Sequence, residues 1–407
     1  MKIALLLLLV FPYSIYSQLC SDFVALDGSE QVVSFGMDTT TNWWAVTSPY
    51  QDRFRLNVNG EETEAMLEVL VPTFSPDSER WAAFIRDQTG WFVIDEADFY
   101  PINTQQVGTI VYSNDSQGMA YSYLVGDIEY IYMPDTTIAI QNKSGQHFLG
   151  WEGKDIFYKL QLGEMQVAKT LDWESEAYQQ IELVGFWHDG DPIYFAFSGV
   201  DWTLFKRDES ISEEFLNITD PTINLAGDVV AFGAQRRSGR MIAAMYTEEF
   251  ADLYRGKEYD AVSDIVLHPH EPIMAFIAKF REQVFVVTNE TEGWGGDNVG
   301  VPFFSHDGEE VSYMGCNVNC YLIINGQRNA FGMQMNMDFD YAVAPGTKTI
   351  AFASGAGLNV VNLDQGGMSL GRMMDFAQGI RYNWRVGKYQ SLGMINRTLF
   401  FLECLPG

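Results

Sequence analysis

Residues 71–85 read V-P-T-F-S-P-D-S-E-R-W-A-A-F-I. An apolar pair runs into the polar turn Ser75-Pro76-Asp77-Ser78, and an apolar stretch with small residues and an aromatic, Ala82-Ala83-Phe84, follows. Proline pre-sets φ for a turn, and Asp and Ser side chains bond back to the local backbone. The segment therefore predicts strand, tight turn, strand.

The same unit recurs along the chain. Aligning on the last turn residue gives Ser78, Ser116, Gly153, Gly190, Gly227, Glu271, Gly308, Gly346 and Gly387, which are 37 to 44 residues apart. Most turns are followed by an apolar–small–aromatic triplet, such as Met119-Ala120-Tyr121, Val230-Ala231-Phe232, Met274-Ala275-Phe276, Val311-Ser312-Tyr313 and Ile350-Ala351-Phe352. Ile156-Phe157-Tyr158 and Ile193-Tyr194-Phe195 are looser copies. A period of about 40 residues with several strands per unit is the signature of a propeller blade. Counting the irregular unit around Gln31–Phe35, Trp43–Val46 and Phe54–Val58, the chain holds about ten units of three evident strands and a weaker fourth. The expected fold is all-β: a β-propeller of short three- to four-stranded blades in a ring closed by the N- and C-terminal strands, with Gln31–Phe35 beside the last unit. Ten blades exceed the usual range of about four to eight, and two smaller rings stay open as an arrangement. However, no Pro/Ser-rich linker divides the chain.

The pattern F-S-P-D-S-x-x-W-A-A-F-I, together with Val58-Asn59-Gly60 and Ile324-Asn325-Gly326 at the ends of later strands, resembles the TolB-type, WD-repeat-like propeller repeats. These occur in bacterial envelope proteins and in the propeller domains of prolyl-oligopeptidase-like enzymes. The resemblance implies a propeller scaffold that binds proteins or ligands, and it implies no single activity, because the repeat residues are structural and fold does not fix function.

Composition narrows the setting. Of 407 residues, 54 are acidic and 25 basic, a formal charge of −29. That disfavours nucleic acid and anionic membranes and favours solubility, a cationic partner or calcium. Residues 1–17 read as a secretory signal: Lys2, the apolar run Ile3–Phe11, and the small residues Ser14 and Ser17 near a cut. Residues 18–407 then form the propeller domain. The apolar run is too short for a spanning helix and no second one follows, so a monomeric protein without a transmembrane anchor is expected, secreted or, in a bacterium, periplasmic. Four cysteines suit an oxidising compartment and allow three pairings. If the chain ends meet in a closed ring, Cys20–Cys404 staples the closure and Cys316–Cys320 is a local clip. Asn114, Asn142, Asn217, Asn289 and Asn396 head N-x-S/T sequons, which are glycosylation acceptors in a eukaryotic secretory protein.

Candidate chemistry is sparse. Gly367-Met368-Ser369-Leu370-Gly371 matches the G-x-S-x-G elbow, but the last histidine, His306, precedes it and too few residues follow for a hydrolase domain. It reads as a loop between units. His188, His268, His270 and His306 fall in repeat turns, where His268, His270 and His306 of neighbouring units would be the metal ligands to consider. Their spacing is not diagnostic, and turn positions favour polar residues in any case. Acidic pairs such as Asp189/Asp191, Glu309/Glu310 and Asp338/Asp340 match no calcium loop. Ser75-x-Asp77 before Trp81 only faintly echoes a sialidase box. No catalytic, cofactor or metal residues are therefore expected. Most tryptophans lie in or beside strands, whereas Trp294, in E-G-W-G-G-D, sits in an expected loop and is the candidate ligand contact. The expected function is a non-enzymatic module that binds a protein or other ligand, possibly cationic, on a propeller face. The alternative is a propeller hydrolase or lyase acting on glycans or small esters, with carboxylates at the central channel.

Overall fold

In the computed structural model, residues 20–406 are described apart from 39–41, 51, 97, 248–253, 256, 270, 289–290, 306–307, 318, 331–340, 348, 355–356, 363–366, 371–373, 375 and 384. The expected signal segment lies outside the described residues. The described part is all-β, with ten small antiparallel sheets and one short 3-10 turn at Trp151–Gly153. Nine of the ten sheets take their strands in chain order, as propeller blades do, and the tenth adds the first described strand beside the last. The third is typical: Gln106–Tyr112, Met119–Val125, Ile128–Met133 and Thr136–Gln141. The second and eighth blades have first strands broken into two short pieces. The chain divides into two compact units, one of residues 29–338 and one of residues 1–28 with 339–407.

The larger unit holds blades one to eight, and its core is a series of clusters shared by neighbouring sheets. In the second blade, Ala83 and Ile85 join a cluster with Val46 and Leu56 of the first. Ala82 and Phe84 face the other way, toward Ile110 and Tyr121 of the third. The triplets are thus buried on both faces, which is why they read as continuous apolar runs and not as an alternating pattern. The small residue leaves room for an aromatic of the adjacent blade. Phe84 meets Tyr121 edge-on at 6.4 Å, and Phe195 meets Phe232 at 4.7 Å. Burying one such ring is worth roughly 2–3 kcal/mol.

The aligned turn positions share one backbone state. Ser78 (φ 57°), Ser116 (60°), Gly153 (70°), Gly190 (89°), Gly227 (72°), Gly308 (78°), Gly346 (68°) and Gly387 (65°) all have positive φ, and Glu271 is the exception. Within a turn, the Ser75 hydroxyl donates to Asp77 at 2.6 Å and accepts from the Arg80 N–H at 3.0 Å. Ser113, Asp115 and Gly118 repeat this arrangement. The turns are also tied to one another. Asn42 donates to the Ser78 carbonyl (2.5 Å), the Asp77 N–H to Ser116 (3.0 Å), the Glu152 N–H to Asp115 (2.9 Å), the Trp151 indole to the Trp187 carbonyl (3.3 Å) and the His188 N–H to the Gly227 carbonyl (2.8 Å).

The smaller unit holds the ninth and tenth blades. The tenth consists of Phe376–Asn383, Lys388–Ile395, Thr398–Cys404 and, at its outer edge, Cys20–Leu26. The N- and C-terminal strands therefore share one sheet. The strand that does this is Cys20–Leu26 and not Gln31–Phe35, which opens the first blade. Cys20 lies opposite Cys404 in the register and is disulfide-bonded to it. Cys316 and Cys320 close the second hairpin of the eighth blade. Gly367–Leu370, expected as a loop, is the outer strand of the ninth blade.

Two outcomes follow for urea-unfolding midpoints. Ser78→Gly is expected to stabilise by about 0.5–1 kcal/mol, because relief of left-handed strain exceeds the added unfolded-chain entropy. Gly227→Ala is expected to cost about 2 kcal/mol, since φ is positive and its Cβ would lie 3.1 Å from both the His188 nitrogen and the Phe186 carbonyl oxygen. For the cysteines, removal of Cys20–Cys404, with a sequence separation of 384, should cost about 2–4 kcal/mol. Removal of Cys316–Cys320, separated by 4, should cost distinctly less. Equal losses for the two pairs would contradict the loop-closure account.

Candidate binding site

Antiparallel order places the turn after a blade's first strand and the turn after its third strand at the same end. In blades two to six that end carries Asp77, Glu79, Asp95, Glu96, Asp98, Asp115, Asp135, Glu152, Asp155, Asp172, Glu174, Asp189, Asp191, Asp208 and Asp228. Its basic residues are Arg80, Lys154, Lys169, Lys206 and Arg207. Four of these five are already committed: Lys154 to Glu152, Lys169 to Glu174 at 2.8 Å, Lys206 to Asp189, and Arg207 to Asp172 and Asp191 at 3.7 and 3.4 Å. Among the described residues, Arg80 is the cation of this end with no carboxylate within ion-pair distance.

Arg80 lines a small half-open cavity of about 130 Å³ between the second and third blades, with Trp81, Asp95, Glu96, Tyr112 and Met119. Strand ends place all six. Arg80 and Trp81 begin the second blade's second strand, Asp95 ends its third strand and Glu96 follows, and Tyr112 and Met119 flank the third blade's first turn. The Arg80 guanidinium lies over the Tyr112 ring, 5.5 Å from its centre, a favourable cation–π geometry. Its Nη2 atom is buried and lacks a hydrogen-bond partner among the described residues. Burial, and then the neighbouring Asp95 carboxylate, push Glu96 above the usual carboxylate range. Asp77, partly buried, is nevertheless held below that range by its hydrogen bonds to Ser75, Glu79 and Ser116. Burial raises Tyr112 well beyond the usual phenol range, so it keeps its proton.

Residues singled out from the sequence are dispersed. His268 is buried, accepts the Glu271 N–H at Nδ1 (2.8 Å) and packs edge-on against Phe304 at 5.2 Å. A Cβ on Gly308 would lie 1.9 Å from its Nε2. The imidazole therefore fills the seam between blades seven and eight, while His270 and His306 lie outside the described residues. Trp294 is not in a loop. It lies in the outer strand Thr291–Gly296 of the seventh blade and is half-buried. It packs edge-on against Tyr321 at 5.6 Å, with Arg328 6.0 Å from its ring centre. The glycines misled the reading: Gly315 and Gly296 are small because this indole occupies the space beside them. Asn142, Asn217 and Asn396 are exposed, Asn114 is half-buried, and Asn289 lies outside the described residues.

Sequence reasoning missed the Arg80 pocket, whose walls come from two blades, and it missed His147. That residue lies in the first strand of the fourth blade opposite Tyr158, is buried, and has no hydrogen-bond partner at either ring nitrogen among the described residues. Burial, with the nearby Lys143 ammonium, pushes its pKa down to about 4. The Lys143 side chain is largely covered and pairs with Glu129 of the third blade at 3.1 Å.

No family model matches this chain, and no curated protein matches its sequence. Among solved structures the chain is similar to a eukaryotic initiation factor, with 10% identity over 74% of this chain and 87% of that one and a TM-score of 0.49. It is also similar to TolB from Acinetobacter baumannii (9% identity, 69% and 77% coverage, TM-score 0.33). A third likeness is to the Dos1 propeller (7% identity, 82% and 91% coverage, TM-score 0.39). At these scores the likenesses carry no functional argument, and the propeller fold rests on this chain's own strand pairing.

The His147 environment fixes a pH dependence. Its folded pKa is depressed, so the unfolded chain binds the proton first, and stability falls as pH drops from about 6.5 toward 4. Between pH 7.5 and 5 the loss attributable to this group is about 2 kcal/mol. His147→Phe should remove that increment from the pH profile of the unfolding midpoint, and an unchanged profile would show that another group titrates there.

Proposed function

We propose that the chain is a secreted or periplasmic, non-enzymatic β-propeller that captures a cationic protein or ligand on the turn-bearing end of blades two to six. The observation that carries this reading is the charge of that end. Among the described residues its carboxylates greatly outnumber its cations, and all the cations but Arg80 are already ion-paired. Such a surface steers positively charged partners and weakens with salt. The turns also suit display, because rigid sheets hold them and they tolerate variation. The chemistry-bearing side chains have structural work instead: His268 fills a seam, and Asp77 and Asp115 cap turns. The two disulfides suit an oxidising compartment. In a eukaryotic secretory pathway the exposed Asn142, Asn217 and Asn396 would carry glycans. Trp294 is retained as a secondary contact on the outer edge of blade seven.

The test is retention of a basic probe, fluorescent poly-lysine, by the immobilised protein. Binding should fall steeply between 50 and 300 mM salt (about tenfold or more). It should be lost in the combined Glu79→Lys, Asp98→Lys, Asp135→Lys variant, whose three parent residues are exposed. Retention that survives both treatments would refute the proposed face. Trp294→Ala should lower retention only if its edge contributes.

A further inference from the structure

We propose that the Arg80 pocket is a subsite for a small zwitterion of the α-amino-acid type, its carboxylate meeting the Arg80 guanidinium and its ammonium meeting the Asp95–Glu96 rim. This rests on the reading of the acidic end as the binding face and names what one part of it takes.

Three features converge. The first is the guanidinium. A buried donor without a partner is unfavourable in the folded protein, and a planar guanidinium matches a carboxylate through two parallel hydrogen bonds. The Tyr112 ring beneath Arg80 holds the charge in place without neutralising it. The second is the rim. Glu96, though exposed, is pushed above the usual carboxylate range by partial desolvation and by Asp95, so a cation at that position relieves a repulsion already present. The third is size. About 130 Å³ is close to a cavity that holds a benzene-sized guest, which corresponds to about six heavy atoms, the size of alanine. Trp81, Tyr112 and Met119 supply apolar wall for the carbon atoms.

The alternatives with a single charge fit less well. A simple anion would meet Arg80 but would also face Asp77, Asp95 and Glu96. A simple cation would meet the rim but would leave the buried Nη2 of Arg80 unpartnered. Only a ligand carrying both charges, separated by about one carbon, satisfies both sets of groups.

The experiment is isothermal titration of the full chain with L-alanine, N-acetyl-L-alanine, which lacks the ammonium, and ethylamine, which lacks the carboxylate. Alanine should bind at least tenfold more tightly than either half-molecule. Arg80→Gln should weaken alanine at least tenfold. Glu96→Gln, an exposed rim position that should not disturb folding, should weaken it three- to tenfold. Equal affinity for alanine and either half-molecule, or unchanged affinity in a folded Arg80→Gln or Glu96→Gln protein, would overturn the proposal. The Glu79→Lys, Asp98→Lys, Asp135→Lys variant separates the two readings, since its substitutions lie outside the pocket wall. Alanine binding that persists when poly-lysine retention is lost supports the subsite. Alanine binding to a parent protein whose poly-lysine retention ignores salt would remove the face reading and leave the subsite standing.

Discussion

The left-handed residue at the end of the first turn in blades two to six and eight is the constraint from which much of the larger unit follows. A positive φ lets the chain reverse within four residues, and it brings the turn's amide and carbonyl groups around to meet the neighbouring turn. Asp77 reaches Ser116, Asp115 receives the Glu152 N–H, and the His188 N–H reaches the Gly227 carbonyl. Each bond is modest alone, about 1 kcal/mol net. Their effect is geometric: they set the spacing of adjacent sheets at one end, so that the triplets behind them can interdigitate. Where the residue is Ser in place of Gly, as at Ser78 and Ser116, the left-handed conformation costs about 1–2 kcal/mol, and the inter-turn bonds offset part of that.

Packing between blades has the complementary role. Within the larger unit, the middle strands of blades two to seven present one face to the blade before and one to the blade after, so a change at Ala82 is felt with the third blade and a change at Ala83 with the first. Two charged side chains beside this shared core are held by ion pairs. Lys143 is paired with Glu129, and Asp201 with Arg237 at 2.9 Å. His147 is instead buried and neutral, with neither ring nitrogen bonded among the described residues. Its protonation is one route by which acid acts on the blade core.

Function enters at the rim of this architecture. The turns that organise the blades are also where polar residues are tolerated, and in this chain they are overwhelmingly acidic. The same Asp residues that cap the turns therefore give that end its field. Arg80 differs because its partner is an aromatic ring and not a carboxylate. That leaves a cation beside carboxylates in a pocket lined with apolar wall, an arrangement that selects for charge separation in a ligand and not for a single sign.

The blade period, the strand triplets and the turn positions were legible in the sequence, because each depends on residues within about ten positions of one another: Pro and Asp for the turn, Gly or Ser for positive φ, and Ala-Phe for a strand buried on both faces. Features that depend on distant residues were not legible. The edge strand Cys20–Leu26 has no pattern of its own, since Phe23 and Val24 are both more than half exposed. Only its register against Thr398–Cys404 identifies it. The stretch around Trp294 looks like a glycine loop, yet it is a strand whose glycines make room for that indole and its neighbours. The Arg80 pocket joins residues from two sheets, and nothing local announces it. Local conformational preference is written in adjacent side chains, whereas the pairing of strands and the partners of a buried charge are settled only when remote segments exclude water together.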